Sequence, residues 1–182
     1  DKNYFNLIIA DVCEEIQIKQ NVDYIIHAAS YASPQYYGVD PVGTLLPNVI
    51  GTYNLLQFAR QKKVNGFLFF SSGEIYGNIS HKDTITENDY GFVDPIDIIN
   101  CYSESKRMGE NMCKSWQCQF GVPTKIARIF HTYGPTMDIE NDSRVFSEFV
   151  SNIVNHRDII MKSDGTPVRS FCYISDAVIG FL

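Results

Sequence analysis

The sequence predicts an α/β domain whose parallel sheet is wound on both sides by helices. Two observations predict it. Short apolar runs recur at 7-LIIA-10, 24-YIIHAA-29, 66-GFLFFSS-72 and 124-TKIARIF-130, and helical stretches at 47–62, 100–118 and 143–156 alternate with them. Runs this short, without the strict alternation of a half-exposed strand, are the mark of parallel strands buried on both faces. The second observation is what each run leads into: Asp11-Val12, then 27-HAAS-30, 71-SSGEIYG-77 and 130-FHTYGP-135. All are small, polar or glycine-containing. They fall at the carboxyl edge of such a sheet, where ligands lie close to backbone.

Taken in order, the run at 7–10 is the first expected strand and 24–29 the second. The first expected helix starts behind Pro47 with the polar Asn48, a favourable way to open a helix. Leu55, Phe58 and Ala59 then mark an apolar face left over after packing on the sheet. The run 66–72 is the third strand. Residues 76–99 hold Gly77, Asn78, Gly91, Pro95 and many Asp and Asn, and read as a long loop of the kind that covers a site. The helix at 100–118 carries Met108, Met112 and Trp116 on one face, and the fourth strand follows it. Beyond the last helix, 164-DGTP-167 is a turn that leads into Arg169 and an apolar stretch.

Composition narrows the function classes. With 182 residues, 45% hydrophobic and 20% charged, the chain is a globular domain large enough for a real core. The formal net charge is −6 and the Lys and Arg residues are dispersed, so no basic face offers itself to nucleic acid. Five cysteines form no Cys-x-x-Cys and no His/Cys group at metal-ligand spacing. Reduced thiols and a cytoplasmic location are therefore expected. No apolar run approaches membrane-spanning length and no signal-peptide pattern is present, so neither a membrane nor a metal enters the reading.

Within 100-NCYSESKRMGENMC-113, Tyr102 and Lys106 stand four residues apart, which puts both on one helical face. On spacing alone the pair is either a phenol held beside an ammonium or an ordinary helix surface.

The remaining motifs weigh on that choice. With IIHAAS, SPQYY, PNVIGTYNLL, SSGEIYG, YSESK, ARIFHTYGPTM and GTPVRSFCYISD, the chain resembles the extended short-chain dehydrogenase/reductase (NAD-dependent epimerase/dehydratase) family along essentially its whole length. Among the nucleotide-sugar enzymes of that family, the UDP-glucuronate decarboxylase branch is the most similar in these motifs. The resemblance implies a Rossmann-like sheet, with 1–135 the central part of the NAD-binding domain and 136–182 the start of the nucleotide-sugar-binding portion. It also implies that the first βαβ unit, with its Gly-rich phosphate turn, and part of the C-terminal portion are missing from these residues. Such a portion is not expected to turn over by itself.

The resemblance further assigns roles. Tyr102 is the general base, Lys106 the cation that lowers its pKa, and Ser72 and Glu74 complete the catalytic set. NAD is the cofactor, with Asp11, Val12, Ala28, Ala29, Ser30, Asn48, Ser71, Ile129, Tyr102 and Lys106 around it. The nucleotide sugar falls to His131, Arg144, Arg169, Ser33 and Tyr36. A homodimer is implied through helices 47–62 and 100–118. Three departures bear on the substrate: Tyr-Ser-Glu-Ser-Lys where the decarboxylases have Tyr-Asp-Glu-Gly-Lys, His131 where they have Asn, and Gly73 where they have Ser or Thr. Glu74 without an acid at Gly73 suits decarboxylation. A 4,6-dehydratase, an epimerase and a non-catalytic member of the family are the alternatives.

Overall fold

The structure, a computed structural model, describes residues 4–79, 84–142, 144–161, 163–166 and 168–182. Ser143 and Pro167, which the expected helix 143–156 and turn 164–167 include, lie outside the described residues. A three-stranded parallel sheet runs in the order β1 (Tyr24–His27), β2 (Gly66–Ser72), β3 (Thr124–Ile129). His27 pairs with Phe69, and Ser72 with Ile129, so the strands end along one edge. Inward-facing Ile25, Phe67 and Phe69 meet Leu56, Phe58, Ala59, Cys113 and Val122, which form the buried core. The helix bearing Cys113 comes close to β2 because Gly109 has no side chain: a Cβ there would collide with the ring of Phe69.

The first helix is longer than the sequence predicts. It begins with α1 (Pro41–Leu46), where Asp40 caps the end by accepting a hydrogen bond from the Gly43 amide at 2.9 Å. It passes through a π turn at Pro47–Gly51 and continues as α2 (Thr52–Lys62). Pro47 therefore lies inside the helix rather than before it. Lacking an N–H, it cannot close an α-turn, and the widened turn absorbs the defect. Helix α3 (Cys101–Phe120) follows a short 3₁₀ turn and stops at Gly121, whose φ of 70° is the left-handed conformation that ends helices. Helices α4 (Val145–Val154) and α5 (Ile174–Phe181) follow.

Three expectations are corrected. Residues 7–10 form no strand: they pair with nothing in the sheet, and Ile9 is 94% exposed. An apolar run becomes a strand through ladder bonds and a layer to bury its side chains, and here neither is supplied. The parallel sheet has helices on both sides as expected, but its second face is only partly covered. Helices α2 and α3 cover one, while Tyr24 and Ile26 of β1 are exposed on the other, where Phe181 of α5 packs on Phe70 of β2. Finally, the run 124–130 is broken after Ile129. His131–Tyr133 becomes β4, which leaves the main sheet and pairs in parallel with β5 (Phe171–Tyr173). This small sheet carries the 131 and 169 regions to the same edge as the ends of β2 and β3.

The 76–99 loop is clasped by two arginines. Arg107 of α3 donates to the carbonyls of Ile75 and Gly91 at 2.8 and 3.0 Å, and Arg128 of β3 donates to that of Glu87 at 2.9 Å. Arg128 also forms a two-point ion pair with Glu110, at 3.0 and 2.8 Å, and Ser71 donates to the same carboxylate at 2.6 Å. At the neck of the loop, Gly77 takes a φ of 64°, and a Cβ there would strike the Phe92 carbonyl.

Candidate active site

Tyr102 is the second residue of α3 and only 6% exposed. Its ring stacks on that of Tyr37, with centroids 5.0 Å apart and planes 10° from parallel. Ser72 ends β2, and its hydroxyl accepts from the Glu74 amide at 3.2 Å, which folds Gly73–Tyr76 into a 3₁₀ turn and turns Glu74 toward solvent. Lys106, one turn below Tyr102, is 3% exposed. Its ammonium donates to the Phe70 carbonyl at 2.7 Å and lies 5.6 Å from the centroid of the Tyr102 ring.

The electrostatics follow from this burial. Tyr102 has its phenol pKa raised, first by loss of water, then by the Glu74 carboxylate; the Ser72 hydroxyl and the Arg144 charge pull the other way. The lowering expected from Lys106 is not among these causes: the ammonium is tied to a β2 carbonyl and is itself lowered by burial to about 8. Tyr37 is raised further, by burial and then by Tyr102 and Glu74. His131 of β4 is lowered by burial and the nearby Arg169, while Glu74 opposes the shift.

These mutual influences define the cluster. Tyr102, Ser72, Glu74, His131, Arg144 and Arg169, named from separate parts of the sequence, come together with Tyr37 at the carboxyl edge. Arg144 is held in a two-point ion pair with Asp142, its Nε donating to Oδ1 at 3.0 Å and its Nη2 to Oδ2. Arg169 is exposed.

Of the residues assigned to the cofactor side, Ala28, Ala29 and Ser30 follow β1 and Ser71 lies near the end of β2, while the others sit on different elements. Asp11 is exposed and accepts from the Cys13 amide at 2.8 Å, and Val12 packs on Gly51 of the π turn. Ala28 is exposed, Ala29 half-buried. The hydroxyls of Ser30 and Ser33 are buried with no partner among the described residues, unsatisfied polar groups of the kind a ligand's oxygens and nitrogens complete. Asn48 is fully buried in the π turn, Ser71 is taken by Glu110, and Ile129 closes β3 beside Ser72. Tyr36 is not brought to Tyr102; it stacks on Tyr31 at 5.1 Å.

Sequence reasoning gave no role to His27, Thr52 and Ser105, all buried behind Tyr102 and Lys106. The one available signal was a histidine inside an apolar strand, at an inward-facing position.

The similarities to known proteins fit this geometry. A family model described as NAD dependent epimerase/dehydratase family matches residues 3–182. UDP-glucuronic acid decarboxylase 6 of Arabidopsis thaliana is 41% identical over 98% of this chain and 50% of its own length. UDP-glucuronic acid decarboxylase 1 of Xenopus tropicalis is 39% identical over 98% of the chain and 41% of its own. The chain thus spans about half the length of such relatives, or less. Among solved structures, UDP-glucose 4-epimerase of Thermotoga maritima superposes with a TM-score of 0.77 at 25% identity, over 87% of this chain and 50% of that one. The dTDP-glucose 4,6-dehydratase of Streptomyces venezuelae, solved with NAD bound, gives 0.74 at 25% identity over 88% and 47%. A buried Tyr-x-x-x-Lys pair at the carboxyl edge of a parallel sheet, within a match that covers nearly every residue, makes the chain a member of the NAD-dependent epimerase/dehydratase family.

Proposed function

We propose that this chain is the central portion of an NAD-dependent nucleotide-sugar decarboxylase that converts UDP-glucuronate to UDP-xylose through a 4-keto intermediate. The observation that carries the reading is the Glu74 carboxylate, set near Tyr102 and Ser72 with glycine rather than a second acid at 73. Similarity to the plant and frog decarboxylases supports the same substrate.

In this reading Ser72 holds the sugar 4-hydroxyl and Tyr102 takes its proton at the phenolate oxygen. NAD, which Ala28, Ala29, Ser30, Asp11 and Val12 would hold, would supply reversible hydride acceptance at C4, so none would be consumed overall. The ketone formed at C4 is β to the C5 carboxylate. Carbon dioxide leaves as the C5–carboxyl bond breaks, its electron pair passes into an enolate, and a proton then adds at C5. Arg144, oriented by Asp142, and Arg169 present guanidinium groups to the diphosphate, for which their forked geometry suits them. His131 and Ser33 complete the sugar-nucleotide side, with Ser30, Ala28, Ala29, Asp11 and Val12 on the cofactor side. Residues 1–135 then contribute the cofactor half and 136–182 the start of the substrate half, in a cytoplasmic protein.

The test uses the full-length protein with UDP-glucuronate and catalytic NAD, read by mass spectrometry. Loss of the mass of carbon dioxide with no net NADH is the expected result. At unchanged mass, a nucleotide sugar that still co-elutes with UDP-glucuronate overturns the substrate. One that elutes apart, with C4 inverted, moves the reading to an epimerase, the activity named for the Thermotoga maritima structure.

A homodimer through the long helices belongs to the same reading, but with different contact residues. Phe58 and Ala59 are buried in the core, and Leu55, Met112 and Trp116 pack against it. What remains outside is a stripe of Leu46, Ile50 and Tyr53 from the first helix and Met108 from α3; Tyr53 is 43% and Met108 49% exposed. Light scattering of the full-length protein is expected to give a dimer, and Tyr53→Glu with Met108→Glu a monomer. A wild-type monomer removes the proposal.

A further inference from the structure

Behind Tyr102 a chain of buried hydrogen bonds crosses three elements. Thr52 donates its hydroxyl proton to the Asn48 carbonyl at 2.6 Å. The contact between His27 Nε2 and the Thr52 oxygen, 3.0 Å, must then use a proton on Nε2. His27 is therefore the Nε2–H tautomer, and its bare Nδ1 has no hydrogen-bond partner among the described residues. From Asn48 the chain continues: its Nδ2 donates to the Ser105 hydroxyl at 3.0 Å and to the Thr44 carbonyl at 3.1 Å. Ser105 passes its own proton to the Tyr102 carbonyl at 2.8 Å. Apart from the side bond to Thr44, the donors point one way, from β1 toward α3. His27, Thr52, Asn48 and Ser105 are each at most 2% exposed.

The end point matters. The Tyr102 carbonyl is also where an α-helix takes the Lys106 amide proton, closing the turn that sets these two side chains one above the other. A serine bonded back to the preceding turn can bend a helix either way. Here its oxygen is pinned by Asn48, and Asn48 is held in the π turn by Thr44 and Thr52. We infer that Ser105 is a positioning residue for Tyr102, fixed from behind by the hydrogen-bond chain that begins at His27. The inference rests on the reading of Tyr102 as proton acceptor.

Two measurements on the full-length protein test it. The first is backbone amide exchange, which needs no substrate. Ser105→Ala removes only the hydroxyl, and is expected to speed exchange of the amides at 104–107 about tenfold while leaving 112–120 unchanged. The second is turnover of UDP-glucuronate: Ser105→Ala is expected to lower kcat about tenfold, as a small misplacement of a catalytic group does, with KM within about twofold. Ser105→Thr, which keeps the hydroxyl, is expected to restore most of both. Unchanged exchange at 104–107 overturns the inference, as does a fall in kcat that Thr does not rescue or that comes with an equal rise in KM. If the wild-type protein leaves UDP-glucuronate untouched, the substrate reading fails and amide exchange alone decides the role of Ser105.

Discussion

Tyr102→Phe in the full-length protein is expected to lower kcat on UDP-glucuronate about 10³-fold, with KM within about threefold and thermal stability nearly unchanged. The substitution keeps the ring, and with it the stack on Tyr37 at 5.0 Å. What it removes is the hydroxyl that shares a hydrogen bond with Ser72 and feels Glu74 and Arg144. Burial holds this phenol above its ordinary value of 10, so near pH 7 it is protonated almost entirely. Turnover limited by proton removal should therefore climb as pH rises, and Tyr102→Phe should flatten that climb along with the rate. A variant with wild-type kcat would mean that the proton goes elsewhere, and Tyr37 would be the first group to examine.

The fold class was legible in the sequence, and so were the helix face and strand ends that carry the candidate site; the details of the scaffold were not. Tyr102 and Lys106 were legible because four residues make one helical turn, and Ser72 and Glu74 because strand ends face the ligand edge of a parallel sheet. The gathering of His131, Arg144 and Arg169 around them depended on β4 leaving the main sheet to pair with β5, a long-range choice with no local signal. Pro47 misled for a related reason. Locally it reads as a helix start, yet Asp40 and Pro41 open the helix earlier and a π turn carries it through. Residues 7–10 show the converse: a strand-like run stays unpaired when no ladder meets it. The apolar helix positions chosen for a dimer face were in part core positions, because 3.6-residue periodicity identifies an apolar face without saying whether sheet or partner covers it.

The pH dependence of folding offers the other large effect, through His27. It is 2% exposed, packs on the Phe69 ring at 5.5 Å, and faces the Lys106 ammonium, the Thr52 hydroxyl and the Pro47 carbonyl. Burial, then the Lys106 charge, lowers its pKa from 6.5 to about 4, against a weaker opposing pull from Pro47. Between these values the unfolded chain binds a proton that the folded chain refuses. Stability therefore increases with pH across this window, reaches its full value above about 6.5 and is lost as pH falls toward 4. A shift of this size corresponds to about 3 kcal/mol. His27→Gln keeps an N–H that can reach Thr52 but cannot titrate. Urea unfolding of the full-length protein at pH 7, 5.5 and 4 should show the wild type losing about 3 kcal/mol more than this variant over that range. Equal losses in the two proteins would mean that His27 is accessible to protons in the folded state.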